Sequence, residues 1–227
     1  MIEQFLVLLT ASLLGAQMTI SLVLVKGDIC PGQRGRLHKT LPALCVLWLA
    51  ICWLYPYALI IPIFLGYFFS QVQTKKTREQ GPLWLFHLAN LFSSLILMFQ
   101  VFGSGIVVDR LVLFVSLFLL GGILGHCFLT QAKTRLQAFH RLLPIAGVIS
   151  AIAFSLVILF EMNSIPFELD DETVVKQFLV SFLLLIAGVL VWCLHLLTSR
   201  KVSLAQLFVA GVMLNLAVLL NLDNLTY

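Results

Sequence analysis

One stretch decides the fold of this chain: 41-LPALCVLWLAICWLYPYALIIPIFLGYFFS-70. A helix needs about 20 apolar residues to cross a bilayer, so this stretch is long for one span and short for two. Pro56 interrupts it between Tyr55 and Tyr57. Proline lacks the backbone N–H that a continuous helix needs, and tyrosine and tryptophan favour the membrane interface. We therefore predict a tight interfacial turn here that separates two helices.

The rest of the chain is equally apolar. Of its 227 residues, 61% are hydrophobic and 11% are charged, and the mean hydropathy is +1.06. A soluble domain has about a quarter of its residues charged, so soluble and disordered proteins are both excluded. The net charge of +4 is too small to indicate nucleic-acid binding. We predict one all-α integral-membrane domain over residues 1–227, with spans at about 5–25, 37–55, 57–73, 83–102, 111–131, 142–160, 177–197 and 203–222.

The charges of the loops predict the topology. The loops at 26–40, 71–82, 132–141 and 198–203 are each net positive, and segment 161–176 is net negative. Positively charged loops face the cytoplasm. A single span across 41–70 would divide the basic loops between two sides, whereas eight spans put all of them inside. We therefore predict eight transmembrane helices with both termini outside, and with residues 1–25 as a retained first span.

The predicted spans contain no Asp, Glu, Lys or Arg in their interiors. Ion-coupled carriers usually place such groups at mid-depth, so this absence argues against a carrier of that kind. The loops are also too short to hold a catalytic domain. We expect any large catalytic domain to belong to a partner protein.

The chain resembles the membrane anchor subunit of the dimethyl sulfoxide reductase family, an eight-helix protein with both termini in the periplasm. Short motifs in the same order and at nearly the same spacing carry the resemblance, which extends along most of the chain. These motifs are Gly15-Ala-Gln17, Leu24-Val-Lys26-Gly27-Asp28, Gly121-Gly122-Ile-Leu124-Gly125-His126 and Arg141-Leu142-Leu143-Pro144.

The resemblance implies a multi-pass subunit of the bacterial inner (cytoplasmic) membrane. Such a subunit holds an iron–sulfur subunit and a molybdopterin catalytic subunit at the bilayer, oxidises menaquinol and passes electrons to the iron–sulfur subunit. It is not itself the reductase. Two alternatives stay open: a permease component, and a membrane assembly protein with no redox role.

The chain departs from the family pattern at two places. The family carries a His-Leu-Gly-Ser-Pro-type segment after its second helix, but here the turn at 53–57 contains no histidine. The family's last helix carries a Gly-Glu-x-x-Gly-Arg pattern, and here the corresponding stretch from Gly211 to Asn215 has neither Glu nor Arg. No quinol-site residue is therefore carried over by motif.

A quinol site on the outer side needs polar groups there, and few are available. Tyr55, Tyr57 and Gln100 are the predicted quinol pocket. Quinol oxidation releases two protons, and a carboxylate near the membrane surface accepts them well if burial raises its pKa. Glu161, at the outer end of the span that begins at Leu142, is the predicted proton acceptor.

The acidic outer segment is the predicted docking surface for a periplasmic partner with a basic face. Its carboxylates surround an apolar Pro-Phe-x-Leu element, and charge complementarity of this kind speeds association. The residues concerned are Phe167, Asp170, Asp171 and Glu172.

The histidines predict neither haem nor metal in this chain. His87, His126 and His195 each lie about one turn from a basic loop, where amphipathic side chains reach water. No two of them are four residues apart, and His38 and His140 fall in predicted loops. The cysteines form no Cys-x-x-Cys motif.

Small and amide residues within the spans predict helix packing. Gly121, Gly122 and Gly125 lie along one helix, where small residues allow close approach of a neighbour. Gln17 and Asn90 are typical of hydrogen bonds between transmembrane helices.

Overall fold

The computed structural model describes residues 2–72, 81–103, 107–134, 136–164, 172–198 and 201–225, without the side chains of 161–164, 172–174 and 223–225. These residues form nine α-helices and one 3-10 turn. The helices are α1 (Ile2–Lys26), α2 (Pro31–His38), α3 (Leu41–Ile51), α4 (Ile60–Gln71), α5 (Leu83–Gly103), α6 (Val107–Gln131), α7 (Gln137–Ser164), α8 (Glu172–Leu197) and α9 (Leu204–Leu225), and the 3-10 turn is Pro56–Leu59.

Six helices in the described part of the chain are long and apolar enough to cross a membrane: α1, α5, α6, α7, α8 and α9. Large apolar side chains also cover the surface of the bundle, among them Phe99, Phe102, Leu183 and Phe208. An apolar surface of this extent is unfavourable in water and matches the hydrocarbon core of a bilayer. The prediction of an all-α, multi-pass membrane protein is confirmed.

The apolar stretch 41–70 is divided between α3 and α4, with the break where Pro56 predicts it. Pro56 is the first residue of the 3-10 turn, and Tyr55 immediately before it has a non-helical backbone. Both helices are shorter than the predicted 37–55 and 57–73. At 1.5 Å per residue, α3 rises about 16 Å and α4 about 18 Å, less than the hydrocarbon thickness of about 30 Å.

Helix α2 lies in what the sequence predicted to be a loop. Pro31 opens it, and the side-chain oxygen of Gln33 accepts a hydrogen bond of 3.3 Å from the backbone N–H of Cys30. Arg36 fastens α2 to the end of α6, donating from Nε to the carbonyl oxygen of Ala132 (3.0 Å) and from Nη2 to that of Lys133 (3.2 Å). These carbonyls at a helix C-terminus have no partner within their own helix, so a cation there is favourable.

His38, the last residue of α2, is completely buried. Its ring packs edge-on against Phe68 of α4, with the ring centroids 5.5 Å apart. Neither ring nitrogen has a hydrogen-bond partner among the described residues. Burial, and secondly the charge of Arg34, lower the pKa of His38 from 6.5 to about 4, so the imidazole is neutral at pH 7.

Helices α1 and α6 form the centre of the bundle. One hydrophobic core lies among α1, α3, α4 and α5, and a second joins α6 to α7, α8 and α9. At the crossing, a Cβ on Gly15 would lie 2.2 Å from the carbonyl oxygen of Leu117, and a Cβ on Gly121 would lie 2.6 Å from the Cα of Gly15. Gly125 faces Thr19 in the same way. The predicted packing role of Gly121 and Gly125 is confirmed.

A buried hydrogen-bond network joins α1 to α3 and α5. Gln17 donates from Nε2 to Oδ1 of Asn90 (2.8 Å), and its Oε1 accepts a hydrogen bond of 3.0 Å from the indole N–H of Trp48. Gln17 and Trp48 are both fully buried. The predicted interhelical role of Gln17 and Asn90 is confirmed. Trp48, which also bonds to Gln17, brings a third helix into the network.

Candidate functional site

A cavity of about 430 Å³ opens at one end of the bundle, which we call the Tyr55 end. It lies among the N-terminus of α1, the turn between α3 and α4, the C-terminus of α5 and the N-terminus of α6. Because α1 and α6 run parallel, this end is opposite to the Arg36 contact with Ala132. The lining residues are Glu3, Gln4, Val7, Leu54, Tyr55, Phe99, Gln100, Gly103, Asp109, Leu113 and Leu222.

Two of the three predicted pocket residues, Tyr55 and Gln100, line this cavity. The third, Tyr57, is not part of the lining and is half exposed. Its ring centroid lies 5.6 Å from that of Tyr55 and 6.3 Å from that of Phe99. The structure therefore brings all three residues together, with Tyr57 beside the cavity.

Gln100 is a buried amide beside the cavity. The side chain is only 7% exposed, and its Nε2 donates to Oγ1 of Thr10 at 3.2 Å. Its Oε1 is buried and has no hydrogen-bond partner in the described part of the chain, and the same holds for Oε1 of Gln4. A buried acceptor without a partner costs free energy, so these two amides are held beside the cavity at a local cost in stability.

Two acidic side chains, Glu3 and Asp109, line the cavity. Glu3 lies close enough to Tyr55 for its charge to act on the Tyr55 hydroxyl. Burial raises the pKa of the Tyr55 hydroxyl, the Gln100 side chain lowers it, and Glu3 raises it. The net direction is upward, so Tyr55 is a neutral phenol and a hydrogen-bond donor at pH 7.

The sequence prediction missed Glu3 and Gln4 as cavity residues. Asp109 falls on the outer side between the predicted spans 83–102 and 111–131 and was not predicted as a site residue, but it belongs with Arg110 to the first turn of α6. Glu3 and Gln4 stand at the very start of α1. Their predicted depth in the membrane could have identified them, because the start of α1, the start of α6 and the turn at Pro56 all lie on the same predicted side.

The other predicted site residues lie beyond what the structure describes. Glu161 belongs to α7, but its side chain is outside the described part, so its role in proton transfer stays a prediction. The docking residues Phe167, Asp170 and Asp171 fall outside the described residues altogether. Glu172 is the first residue of α8, without a described side chain.

A second polar cluster lies at the opposite end, among α6, α7 and α8. Nε2 of His126 and Nδ1 of His140 are 2.8 Å apart, and the indole N–H of Trp192 donates to Nδ1 of His126 at 2.9 Å. Nε2 of His140 lies 3.1 Å from the carbonyl oxygen of Thr134. Nε2 of His195 lies 3.1 Å from the carbonyl oxygen of His140.

This cluster corrects the expectation that its histidines reach water. His126 is fully buried and His195 is 7% exposed, whereas His87 is exposed as predicted. His140 belongs to α7 and not to a loop. Pro144, four residues later, has no N–H to donate to the His140 carbonyl, which leaves that oxygen for His195.

The ring nitrogens in this cluster are occupied by protein partners, so its role is to join three helices. Within the described residues, no group of three His, Cys, Asp or Glu side chains is arranged to hold a metal ion. The absence of haem and metal stays a prediction. The cavity at the Tyr55 end, with its phenol, amide and carboxyl side chains, is therefore the candidate functional site.

A family model described as an integral membrane domain matches residues 2–225. No curated protein and no solved structure matches the chain.

Proposed function

The chain belongs to this integral membrane domain family, and from that premise we propose that it is the membrane anchor subunit of a molybdopterin/iron–sulfur reductase complex and oxidises menaquinol. The observation that carries the proposal is the cavity at the Tyr55 end. Its lining combines a phenol, two carboxyl side chains and two side-chain amides with apolar residues.

The chemistry of a quinol matches this lining. Its hydroxyl groups donate hydrogen bonds to amide and carboxylate oxygens, while its ring is compatible with apolar walls such as Phe99, Leu54 and Leu113. The volume of about 430 Å³ is within the range of small-molecule sites. On oxidation, menaquinol gives up two electrons and two protons and becomes menaquinone. The electrons go to the iron–sulfur subunit, and the protons go to carboxylates near the water.

We propose eight spans with both termini in the periplasm of the bacterial inner membrane. The α3–α4 hairpin supports the two additional spans, although each helix is short. Tyr55, at the tip of the hairpin, lines the cavity beside Glu3 at the start of α1. Thr40 comes just before α3, at the base of the hairpin, and lies next to α2 at the opposite end of the bundle. The hairpin therefore runs from the α2 side of the bundle toward the Tyr55 end.

We propose that the iron–sulfur and molybdopterin subunits dock on the periplasmic side. The predicted contact is the acidic segment with Phe167, Asp170, Asp171 and Glu172. An interface with a basic partner face would associate faster at low salt and loosen at high salt. Helices account for most of the described chain, which supports the view that the catalytic domain belongs to a partner.

The test is purification of the complex from membranes, followed by menaquinol-dependent turnover. Tyr55→Phe removes the phenol from the cavity and is expected to slow turnover. Tyr67→Phe is the matched control, because Tyr67 is exposed on α4 and does not line the cavity. If no iron–sulfur subunit ever co-purifies with the chain, the anchor proposal fails, and the permease and assembly alternatives remain.

A further inference from the structure

In the second polar cluster, both ring nitrogens of His195 face backbone carbonyl oxygens. Nδ1 lies 2.9 Å from the carbonyl oxygen of Trp192, about one turn earlier on α8, and Nε2 lies 3.1 Å from that of His140 on α7. The side chain is only 7% exposed, so water does not replace either contact. A carbonyl oxygen accepts hydrogen bonds and has no hydrogen to donate.

A neutral imidazole cannot make both of these contacts as hydrogen bonds. It carries one N–H, so in either tautomer the other nitrogen turns a lone pair toward a carbonyl oxygen. Turning the ring over would place carbon atoms at both positions and lose both bonds. The imidazolium form carries two N–H groups, and only this form satisfies both oxygens at once. The geometry therefore fits the protonated ring.

The position of His195 on α8 favours the added charge. It belongs to the last turn of the helix, where the helix dipole favours a cation. Pro144 has no N–H to donate to the His140 carbonyl, so this oxygen is available to the ring. The uncharged Gln206 of α9 reaches the Trp192 carbonyl at the longer distance of 3.3 Å. Both oxygens are thus able to accept from an imidazolium.

Two other histidines face His195, and the hydrogen bonds of both match neutral rings. The ring of His126 on α6 has its centroid 5.5 Å from that of His195. It accepts from Trp192 at Nδ1 and donates to His140 from Nε2. His140 accepts this proton at Nδ1 and donates from Nε2 to the carbonyl oxygen of Thr134. Each of these two rings therefore needs one N–H, whereas His195 needs two.

The fixed charges around the cluster are basic. The sequence has no Asp or Glu from 111 to 160 or from 173 to 222, which covers the surrounding parts of α6, α7, α8 and α9. Lys133, Arg141 and Lys201 lie at this end of the bundle and oppose an imidazolium, but all three are exposed, so water and salt screen them. Carbonyl dipoles, and not a carboxylate, therefore hold the proton.

We infer that His195 is a proton-binding site that links α7 to α8. Its neutral ring takes up one proton from water and becomes an imidazolium with two N–H donors, which bridge the carbonyl oxygens of Trp192 and His140. As the pH rises, the proton returns to water, one contact becomes a lone pair against an oxygen, and the link loosens. Histidine is suited to this role because its charge usually changes between about pH 5 and 8. The inference goes beyond the proposed quinol site, since it concerns the opposite end of the bundle.

The first experiment counts the N–H groups on the His195 ring. The full chain with isotope-labelled histidine is studied in lipid nanodiscs by solid-state NMR, in which the shift of each ring nitrogen reports whether it carries a hydrogen. The His195 signals are assigned by their loss in His195→Gln. Two N–H groups are expected at about pH 6 and one at about pH 8. One N–H group at both pH values, or two at both, would overturn the inference.

The second experiment measures the link between the two helices. Spin labels are attached to Leu142→Cys on α7 and Leu197→Cys on α8, both exposed positions, on a background without other cysteines. The wild-type distance distribution is expected to be narrow at about pH 6 and broader at about pH 8. His195→Gln places an amide N–H near the position of Nε2 and does not titrate, so its distribution should not change with pH.

His87→Phe is the matched control, because His87 is an exposed histidine on α5, outside the cluster. It is expected to keep the wild-type response to pH. A wild-type distribution that did not change with pH, a response that persisted in His195→Gln, or one that disappeared in His87→Phe would each show that His195 is not the switch. Menaquinol-dependent turnover tests the proposed function separately from these measurements.

Discussion

The indole N–H of Trp192 points directly at Nδ1 of His126 on the neighbouring α6, 2.9 Å away. Because an indole nitrogen only donates, Nδ1 of His126 must be an acceptor and the proton of the neutral ring must be on Nε2. That proton is donated to Nδ1 of His140, so the proton of His140 is on Nε2 and is donated to the carbonyl oxygen of Thr134. One tryptophan thus sets the tautomers of two histidines.

The first prediction concerns this contact. Trp192→Phe leaves Nδ1 of His126 buried without a donor, and we expect a loss of about 1–3 kcal/mol in the free energy of unfolding, in addition to the cost of the smaller ring. Unfolding by SDS in mixed micelles is the measurement. Trp84→Phe, at a tryptophan that is 60% exposed, is the control and should change stability little. Equal effects of the two variants would contradict the proposed importance of the hydrogen bond.

The second prediction concerns the crossing of α1 and α6. Gly121→Ala places a methyl group 2.6 Å from the Cα of Gly15, so the two backbones must separate. We expect a loss of about 1–3 kcal/mol in stability. Gly66→Ala in α4 is the matched control, since no atom lies within 4 Å of its added Cβ. It should be neutral or stabilising by up to about 1 kcal/mol, because alanine favours a helix.

The third prediction is a loss of stability in acid that depends on His38. The pKa of its buried imidazole is about 4 in the folded protein and 6.5 in the unfolded chain. The unfolded chain therefore binds more protons between these values, and stability falls as pH decreases from 6.5 toward 4. The full difference corresponds to about 3 kcal/mol. His38→Phe should remove this part of the pH dependence of unfolding. If the variant kept the wild-type pH dependence of unfolding, the loss of stability in acid would belong to other groups.

The fourth prediction distinguishes two proton acceptors. If Asp109, which lines the cavity, accepts a proton from menaquinol, Asp109→Asn should slow menaquinol-dependent turnover at least tenfold while the subunits still co-purify. Glu161→Gln tests the residue predicted from the sequence. If turnover were slow in Glu161→Gln and normal in Asp109→Asn, Glu161 would be the proton acceptor.

The fifth prediction is the topology of the α3–α4 hairpin. Cys30 is exposed beside α2, and the backbone N–H of Gln33 lowers the pKa of its thiol, which favours reaction with maleimides. A membrane-impermeant maleimide should label Cys30 from the cytoplasmic side only. Trp53→Cys, at a position that is 88% exposed in the turn, should be labelled from the periplasmic side only on a Cys30→Ser background. Labelling of both positions from one side would show that α3 does not cross.

Features with a local chemical cause were predictable from the sequence. Pro56 breaks a helix wherever it stands, and Gly121 and Gly125 leave space for a neighbour whatever that neighbour is. Helix α2 was not predictable, because residues 31–38 have no apolar periodicity. Its position depends on Arg36 reaching carbonyl oxygens 96 and 97 residues later.

The candidate site was predictable only in part, for a similar reason. Tyr55 and Gln100 were identified by depth alone, as polar residues at the same predicted level. Glu3 and Gln4 join them because α1 packs in the centre of the bundle, which no local pattern reports. His126 was expected to reach water but is buried, because its environment depends on Trp192, 66 residues away.

The central position of α1 has a consequence for biosynthesis. Gln17 finds its partner in Asn90, 73 residues later, and Gly15 finds Gly121 later still. At about 5–20 residues per second, the ribosome needs roughly 4–15 s to make the chain between Gln17 and Asn90. Trp48 can pair with the amide oxygen of Gln17 early in this interval, but the amide NH₂ and the glycine face of the first helix have no native partner until Asn90 and Gly121 are made. A nascent chain that stalls before Asn90 would therefore present a membrane-embedded polar group to the quality-control machinery.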